Sequence, residues 1–200
     1  WQEVWDSIYA QTSMRQDLTF NIIGWNSSYT GHPIPEEEMR EWVDSTVDRI
    51  LSLHPRRVLE IGCGSGAVLR EFVRFGVQPA NALGIDIDRD ALAIARARNP
   101  GVDLRTADAA ELPTPDGSFD LVLAFTVFTS IPDARKRAAV AREVRRVLRP
   151  RGALLWYDFR VNPLNPQTQA LGLAEIKRLF GHEPVDEREL GAMVDALLVR

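Results

Sequence analysis

The chain of 200 residues has one cysteine, Cys63, and only three histidines. A single cysteine excludes an internal disulfide and fits a reducing, cytoplasmic setting. It also leaves too few ligands for the usual structural zinc site, so no metal is expected. The charge-free apolar run Leu121–Pro132 is too short to span a bilayer, so no membrane insertion is expected. An excess of one charge is missing as well: 24 basic against 28 acidic residues leave a net charge of −4, which argues against nucleic acid as a partner. Internal repeats and low-complexity linkers are absent. What remains has the composition of a soluble globular domain, with 45% hydrophobic and 26% charged residues. The chain opens on Trp1 rather than methionine, which leads us to expect a piece of something longer.

Residues 1–54 carry nine acidic and three basic side chains. Trp5, Ile8 and Tyr9 suggest a short amphipathic helix, and the stretch Gly24–Pro35, rich in turn formers and aromatics, an ordered loop. Pro35 then opens a helix with Glu36, Glu37 and Glu38 in its first turn, where carboxylates favour the positive end of the dipole. Met39, Val43, Val47, Ile50 and Leu51 recur at helical spacing. We take residues 1–56 as an N-terminal helical lid or substrate-facing segment and 57–200 as the core domain.

In the centre the period alternates. Strands are expected at Arg57–Ile61, Ala82–Ile87, Val102–Thr106, Phe119–Phe125 and Ala153–Phe159. Helices fall between them at Ala67–Phe75, at Arg89–Arg98 capped by Asp88, and from Asp133 to Leu148. Pro150-Arg151-Gly152 reads as a turn. Such alternation implies an α/β fold, a Rossmann-like parallel sheet with helices on both faces. In the tail, Leu173–Phe180 and Asp186–Val199 both read as helices, the latter from Leu190, Val194, Leu197 and Leu198. A final strand hairpin is therefore not evident.

The chemistry concentrates after the first strand. Val58-Leu59-Glu60-Ile61-Gly62-Cys63-Gly64-Ser65-Gly66 runs from a strand through a glycine turn into a helix. Such a turn lets a ligand approach the backbone and meet free N–H groups at a helix start. Gly84-Ile85-Asp86-Ile87-Asp88 places a carboxylate at the tip of the next strand, where it can accept from a ribose diol. An adenosine-type cofactor across the carboxyl edge of the sheet follows. Gly62, Gly64 and Ala67 also satisfy the dinucleotide pattern, which keeps a nicotinamide cofactor open. Glu60, Asp108-Ala109 after the third strand, and the strand Phe119–Phe125 favour S-adenosylmethionine.

Taken together, VLEIGCGSG, GIDID, ADAAELP, FDLVLAF and VLRPRGALL resemble the class I S-adenosylmethionine-dependent methyltransferases over about residues 57–160. The resemblance implies a seven-stranded sheet with S-adenosylmethionine over the first two strands and S-adenosylhomocysteine as product. It implies that Glu60, Gly62, Cys63, Gly64 and Gly66 line the methionine part. Asp86 would hold the ribose, Ile87 would pack on adenine, and Asp108 and Ala109 would meet the adenine edge. Ala124 and Phe125 would lie near the transferred methyl. Arg151 departs from the usual Pro-Gly-Gly turn of the family.

The run Phe20–Pro35, followed by Glu37–Val43, resembles the entry segment of methyltransferase domains embedded in nonribosomal peptide synthetases. This implies N-methylation, less often C-methylation, of an aminoacyl group tethered to a carrier domain. Tyr157–Pro163 is more similar to free-standing small-molecule methyltransferases, which implies O- or N-methylation of a free acceptor. Tyr9 and Trp25 are candidates to lid the sulfonium with an aromatic face. Asn26, Ser28 and Tyr29 are candidates to orient the acceptor. Asp158, at the carboxyl tip of the fifth strand, is a candidate base, weighed against a salt bridge with Arg160. Asp133–Arg151 holds eight basic and two acidic residues. It reads as a solvated helix face or as a docking patch for an acidic carrier domain. A nicotinamide-dependent oxidoreductase and a non-catalytic scaffold domain stand as the remote alternatives.

Overall fold

Val58, Leu59, Glu60 and Ile61 are all buried, as a central strand covered on both faces requires. A computed structural model describes residues 32–38, 40, 41, 45, 50, 54–159, 171–180, 186–189 and 194–199. It builds outward from that strand, β1 (Val58–Ile61), through α1 (Ala67–Arg74), β2 (Ala82–Asp86), α2 (Arg89–Arg98) and β3 (Asp103–Thr106). Then come β4 (Phe119–Phe125), α3 (Ala134–Val147), β5 (Leu148–Phe159), α4 (Leu173–Phe180), β6 (Asp186–Glu189) and β7 (Val194–Val199). The sheet order is β3-β2-β1-β4-β5-β7-β6, parallel from β3 to β5 and antiparallel at β7. The order reverses direction between β1 and β4, so the crevice for a ligand opens above their carboxyl ends.

Local chemistry accounts for the helix starts. The Asp88 carboxylate accepts from the backbone N–H groups of Asp90 and Ala91 at 2.9 and 3.1 Å, which caps α2. Asp133 caps α3 through Arg135 N–H at 2.8 Å. Val140, Val144 and Val147 give α3 a buried stripe that joins Leu59, Phe119, Val122, Trp156 and Phe128 in the main core. Ile176 and Phe180 of α4 close the same cluster.

Two expectations are corrected. Where a helix is expected over Asp186–Val199, Asp186–Glu189 and Val194–Val199 are instead the antiparallel strands β6 and β7, which complete a seven-stranded sheet. Leu190, Val194, Leu197 and Leu198 do fall at helical spacing, but Val194–Val199 is also a short run that is apolar except at Asp195, and periodicity alone cannot tell a strand from a helix segment there. The decision is made by pairing with β5, in register from Leu154↔Val199 to Phe159↔Val194, beyond the reach of a local pattern. Second, Pro150-Arg151-Gly152 lies inside β5. The register against β4 shifts between Phe119 and Leu121, and the extra chain is taken up there with Arg151 at φ +68°.

The chain divides into two units, Trp1–Ser52 and Leu53–Arg200. In the first, residues 36–38, 40 and 41 are helical and Arg40 pairs with Glu36 at 2.7 Å, one helical turn away. The proposed lid, with Tyr9, Trp25, Asn26, Ser28 and Tyr29, lies outside the described residues.

Candidate functional site

The glycine turn leaves β1 with Gly62, Gly64 and Gly66 all at positive φ, between +50° and +72°. Two of them also sit where a side chain has no room. A Cβ on Gly66 would meet Asn99 Nδ2 at 2.4 Å and Ala95 Cβ at 3.1 Å, so its absence lets α1 close onto α2. A Cβ on Gly62 would stand 3.0 Å from Val127 Cγ2, which brings the segment after β4 against the turn. Nothing lies within 4 Å of a Cβ built on Gly64, so the middle of the turn faces open space.

Asp86 braces this turn. One carboxylate oxygen accepts Gly64 N–H at 2.7 Å and the other accepts Asp88 N–H at 2.8 Å. Each oxygen keeps a second lone pair for a further donor such as a ribose hydroxyl. Beside it, Ile87 is 72% exposed, an unusual position for a large aliphatic side chain and a flat apolar surface for a nucleobase. The ribose and adenine expectations for Asp86 and Ile87 thus fall on adjacent groups at one strand end.

Glu60 is 3% exposed, and its Oε2 has no hydrogen-bond partner. Burial pushes its carboxyl well above the usual range, a hydrogen bond from the Leu69 backbone opposes this, and the charge of Asp86 adds to it. An orphaned carboxyl oxygen beside a second carboxylate suits a cationic ligand and disfavours a pyrophosphate. S-Adenosylmethionine, with its ammonium and sulfonium, fits that donor set, and a nicotinamide dinucleotide fits it less well. Cys63 is buried, and its sulfur would lie 2.9 Å from a Cβ on Gly84, so the thiol points under the turn toward β2. Burial, and then the charges of Glu60 and Asp86, push that thiol up, which makes it a poor nucleophile.

The remaining expected residues are distributed around this centre. Asp108 is exposed and lies 2.8 Å from Lys136 Nζ, and that hydrogen bond holds its carboxyl below the usual range. It also accepts Ala110 N–H at 2.9 Å, and Ala109 packs on the core. Ala124 is buried in β4, and Phe125, half-buried, meets Tyr157 edge to face at 5.8 Å. Asp158 is 0% exposed, and its carboxylate is closed in by donors from Phe128, Thr129 and Trp156. The structure thus places it as an internal brace, without the opening that a base for an acceptor would need. Arg160 lies outside the described residues. Sequence reasoning missed Val127 and the turn around it, because nothing in the letters Thr126–Ser130 announces a positive φ at Thr126 (+57°) or contact with Gly62.

Several cations of α3 are paired with carboxylates of the same chain. Arg137 pairs with Glu175, Arg146 with Glu143 and Asp116, and Lys136 with Asp108. Arg135, Arg142 and Arg145 are exposed.

Residues 59–156 match the family described as methyltransferase domain. Over 169 residues the chain is 35% identical to chondramide synthase of Chondromyces crocatus, covering 80% of this chain and 4% of that protein. It is 38% identical over 137 residues to a probable S-adenosylmethionine-dependent methyltransferase of Mycolicibacterium smegmatis, covering 62% of this chain and 50% of that one. The chain therefore spans half or less of these curated relatives. Among solved structures, the PH0226 protein of Pyrococcus horikoshii shares the fold at a TM-score of 0.69 and 18% identity, over 92% of this chain and 98% of the other.

Proposed function

The chain carries an S-adenosylmethionine-dependent methyltransferase domain over residues 59–156, and from that premise we propose that it methylates the amino group of a carrier-tethered aminoacyl or peptidyl intermediate. The setting would be natural-product assembly by a nonribosomal peptide synthetase in the cytoplasm. The observation that carries this reading is the match of 80% of the chain to 4% of a much larger synthase. The resemblance of Phe20–Val43 to the entry segment of synthetase-embedded domains points the same way.

When bound, S-adenosylmethionine supplies a methyl group already activated on sulfur. The chain's own residues hold and orient. Asp86 accepts from the ribose, Ile87 covers the nucleobase, and Glu60 offers its unpartnered oxygen to the positive methionine end. The glycine turn, whose Gly62, Cys63, Gly64 and Gly66 N–H groups are taken up by Ile85, Asp86 and Cys63, serves the same ligand through the open space beside Gly64. Ala124 and Phe125 would border the methyl, while Tyr9 as a cofactor lid and Asn26 and Tyr29 as acceptor-orienting groups remain expectations of the sequence outside the described residues. Holding an amine in line with the methyl is worth roughly 7–11 kcal/mol of barrier, and a neutral amine needs no base. The exposed Arg135, Arg142 and Arg145 of α3 offer an acidic carrier a docking face.

A second reading, methylation of a free small molecule, has the Mycolicibacterium relative and the segment Tyr157–Pro163 in its favour. Transfer from methyl-labelled S-adenosylmethionine, offered to aminoacyl-loaded carrier domain and to the same free amino acids, separates the two. Label on the carrier supports the proposal, and label only in the free pool overturns it in favour of the second reading. Label in neither arm overturns the choice of amino acids as acceptors.

A further inference from the structure

Asp158 stands at the carboxyl end of β5 with no exposed surface. Four donors converge on its two oxygens. Phe128 N–H donates at 3.0 Å, Thr129 N–H at 3.3 Å and the Trp156 indole at 2.9 Å, and the Thr129 hydroxyl also donates to Oδ1. Only a carboxylate offers enough lone pairs for all four. An amide in its place would turn one donor against another, and an aliphatic side chain would leave four buried donors unpaired.

The donors from Phe128 and Thr129 belong to the turn that follows β4, and the Trp156 indole lies on β5 itself. At its start, Thr126 has φ +57°, a conformation that a β-branched residue adopts only when its surroundings impose it. Its N–H donates to Tyr157 O at 2.7 Å, and its own carbonyl accepts the Ser130 hydroxyl at 2.8 Å. Between this residue and the donors to Asp158 lies Val127, the side chain that fills the space left by Gly62.

We propose that Asp158 is a positioning residue for the cofactor: by gathering Phe128, Thr129 and Trp156 it holds the strained turn so that Val127 stands against Gly62 and walls the methionine end of the crevice. The inference rests on S-adenosylmethionine binding at the glycine turn. The adenosine end, at Asp86 and Ile87, lies beyond β1 on the other side of the turn, so Asp158 acts on one half of the ligand only. A brace that merely stabilised the fold would show no such preference.

The test measures binding of S-adenosylmethionine and of adenosine, by calorimetry or ligand-observed NMR, to the wild type, Asp158→Asn and Thr129→Val. Asp158→Asn should weaken S-adenosylmethionine about tenfold, the effect expected of one buried hydrogen-bond mismatch, and leave adenosine unchanged. Thr129→Val, which removes one donor and keeps the shape, should show the same preference at smaller size. If Asp158→Asn does not fold, Thr129→Val decides alone. Equal losses for both ligands, or no loss for either, overturn the inference. A wild type that binds no S-adenosylmethionine overturns the cofactor reading as well, so the two failures are distinguishable.

Discussion

Asp86 has two oxygens and three tasks. It holds Gly64 N–H on one side and Asp88 N–H on the other, and it offers its remaining lone pairs to a ribose. Asp86→Ala removes charge-assisted hydrogen bonds worth about 1.5–3 kcal/mol each, so S-adenosylmethionine should bind roughly ten- to a hundredfold more weakly in calorimetry. Unchanged affinity would refute the ribose assignment. Asp158 makes a prediction through pH. Burial raises its carboxyl to about 6 against the pull of Thr129, Trp156 and Phe128, and the buried phenol of Tyr157, also raised by burial, is its titratable neighbour. Because the folded pKa lies above the unfolded one, the folded state binds the extra proton between about pH 4 and 6. The stability of the wild type relative to Asp158→Asn should therefore grow as pH falls from 7 to 4, by up to about 3 kcal/mol, and stay flat above pH 7. Denaturant titrations at several pH values read this directly, and a difference that shrinks toward acid would contradict the assignment. Asp86 could be read from the letters because a strand tip twenty residues past a glycine turn is a local pattern. The role of Asp158 could not, because its partners Phe128 and Thr129 lie 30 and 29 residues away and its environment exists only once β4 and β5 have paired.

Among the elements, β5 carries the largest departure from local expectation. Arg151 occupies φ +68°, where a residue with a Cβ costs roughly 1–2 kcal/mol and glycine does not. Arg151→Gly should therefore raise the melting temperature by about 2–4 °C, after the entropy that glycine loses on folding is deducted. A lower melting temperature would mean that the arginine side chain contributes more than its backbone costs. The same strand pairs with β7 at its outer edge. Deleting residues 186–200 strips that edge and leaves backbone donors and acceptors open for other chains, so the truncated protein should aggregate in light scattering. A monomeric truncated form with intact cofactor binding would show that the hairpin is dispensable. The first five strands were legible from their apolar runs, apart from the start of β5, and α2 and α3 from their caps Asp88 and Asp133. The hairpin was not, because its apolar residues satisfy two periods and only the partner strand selects one.

At the scale of the molecule, an acidic front third and a basic α3 share a chain of net charge −4. Much of the basic charge in α3 is spent on Asp108, Glu143, Asp116 and Glu175, a pairing that a charge count along the sequence cannot reveal. Glu60, buried in β1, remains with one oxygen unpartnered and feels the charge of Asp86. That acidic centre distinguishes a cationic adenosyl ligand from a dinucleotide carrying negative pyrophosphate. Calorimetric titration of the protein with S-adenosylmethionine and, in parallel, with NAD puts this to the test. S-Adenosylmethionine should bind stoichiometrically and release protons as the raised Glu60 carboxyl ionises beside the cationic ligand, while NAD should give no heat of binding. Tight binding of NAD with none of S-adenosylmethionine would contradict the assignment of the site.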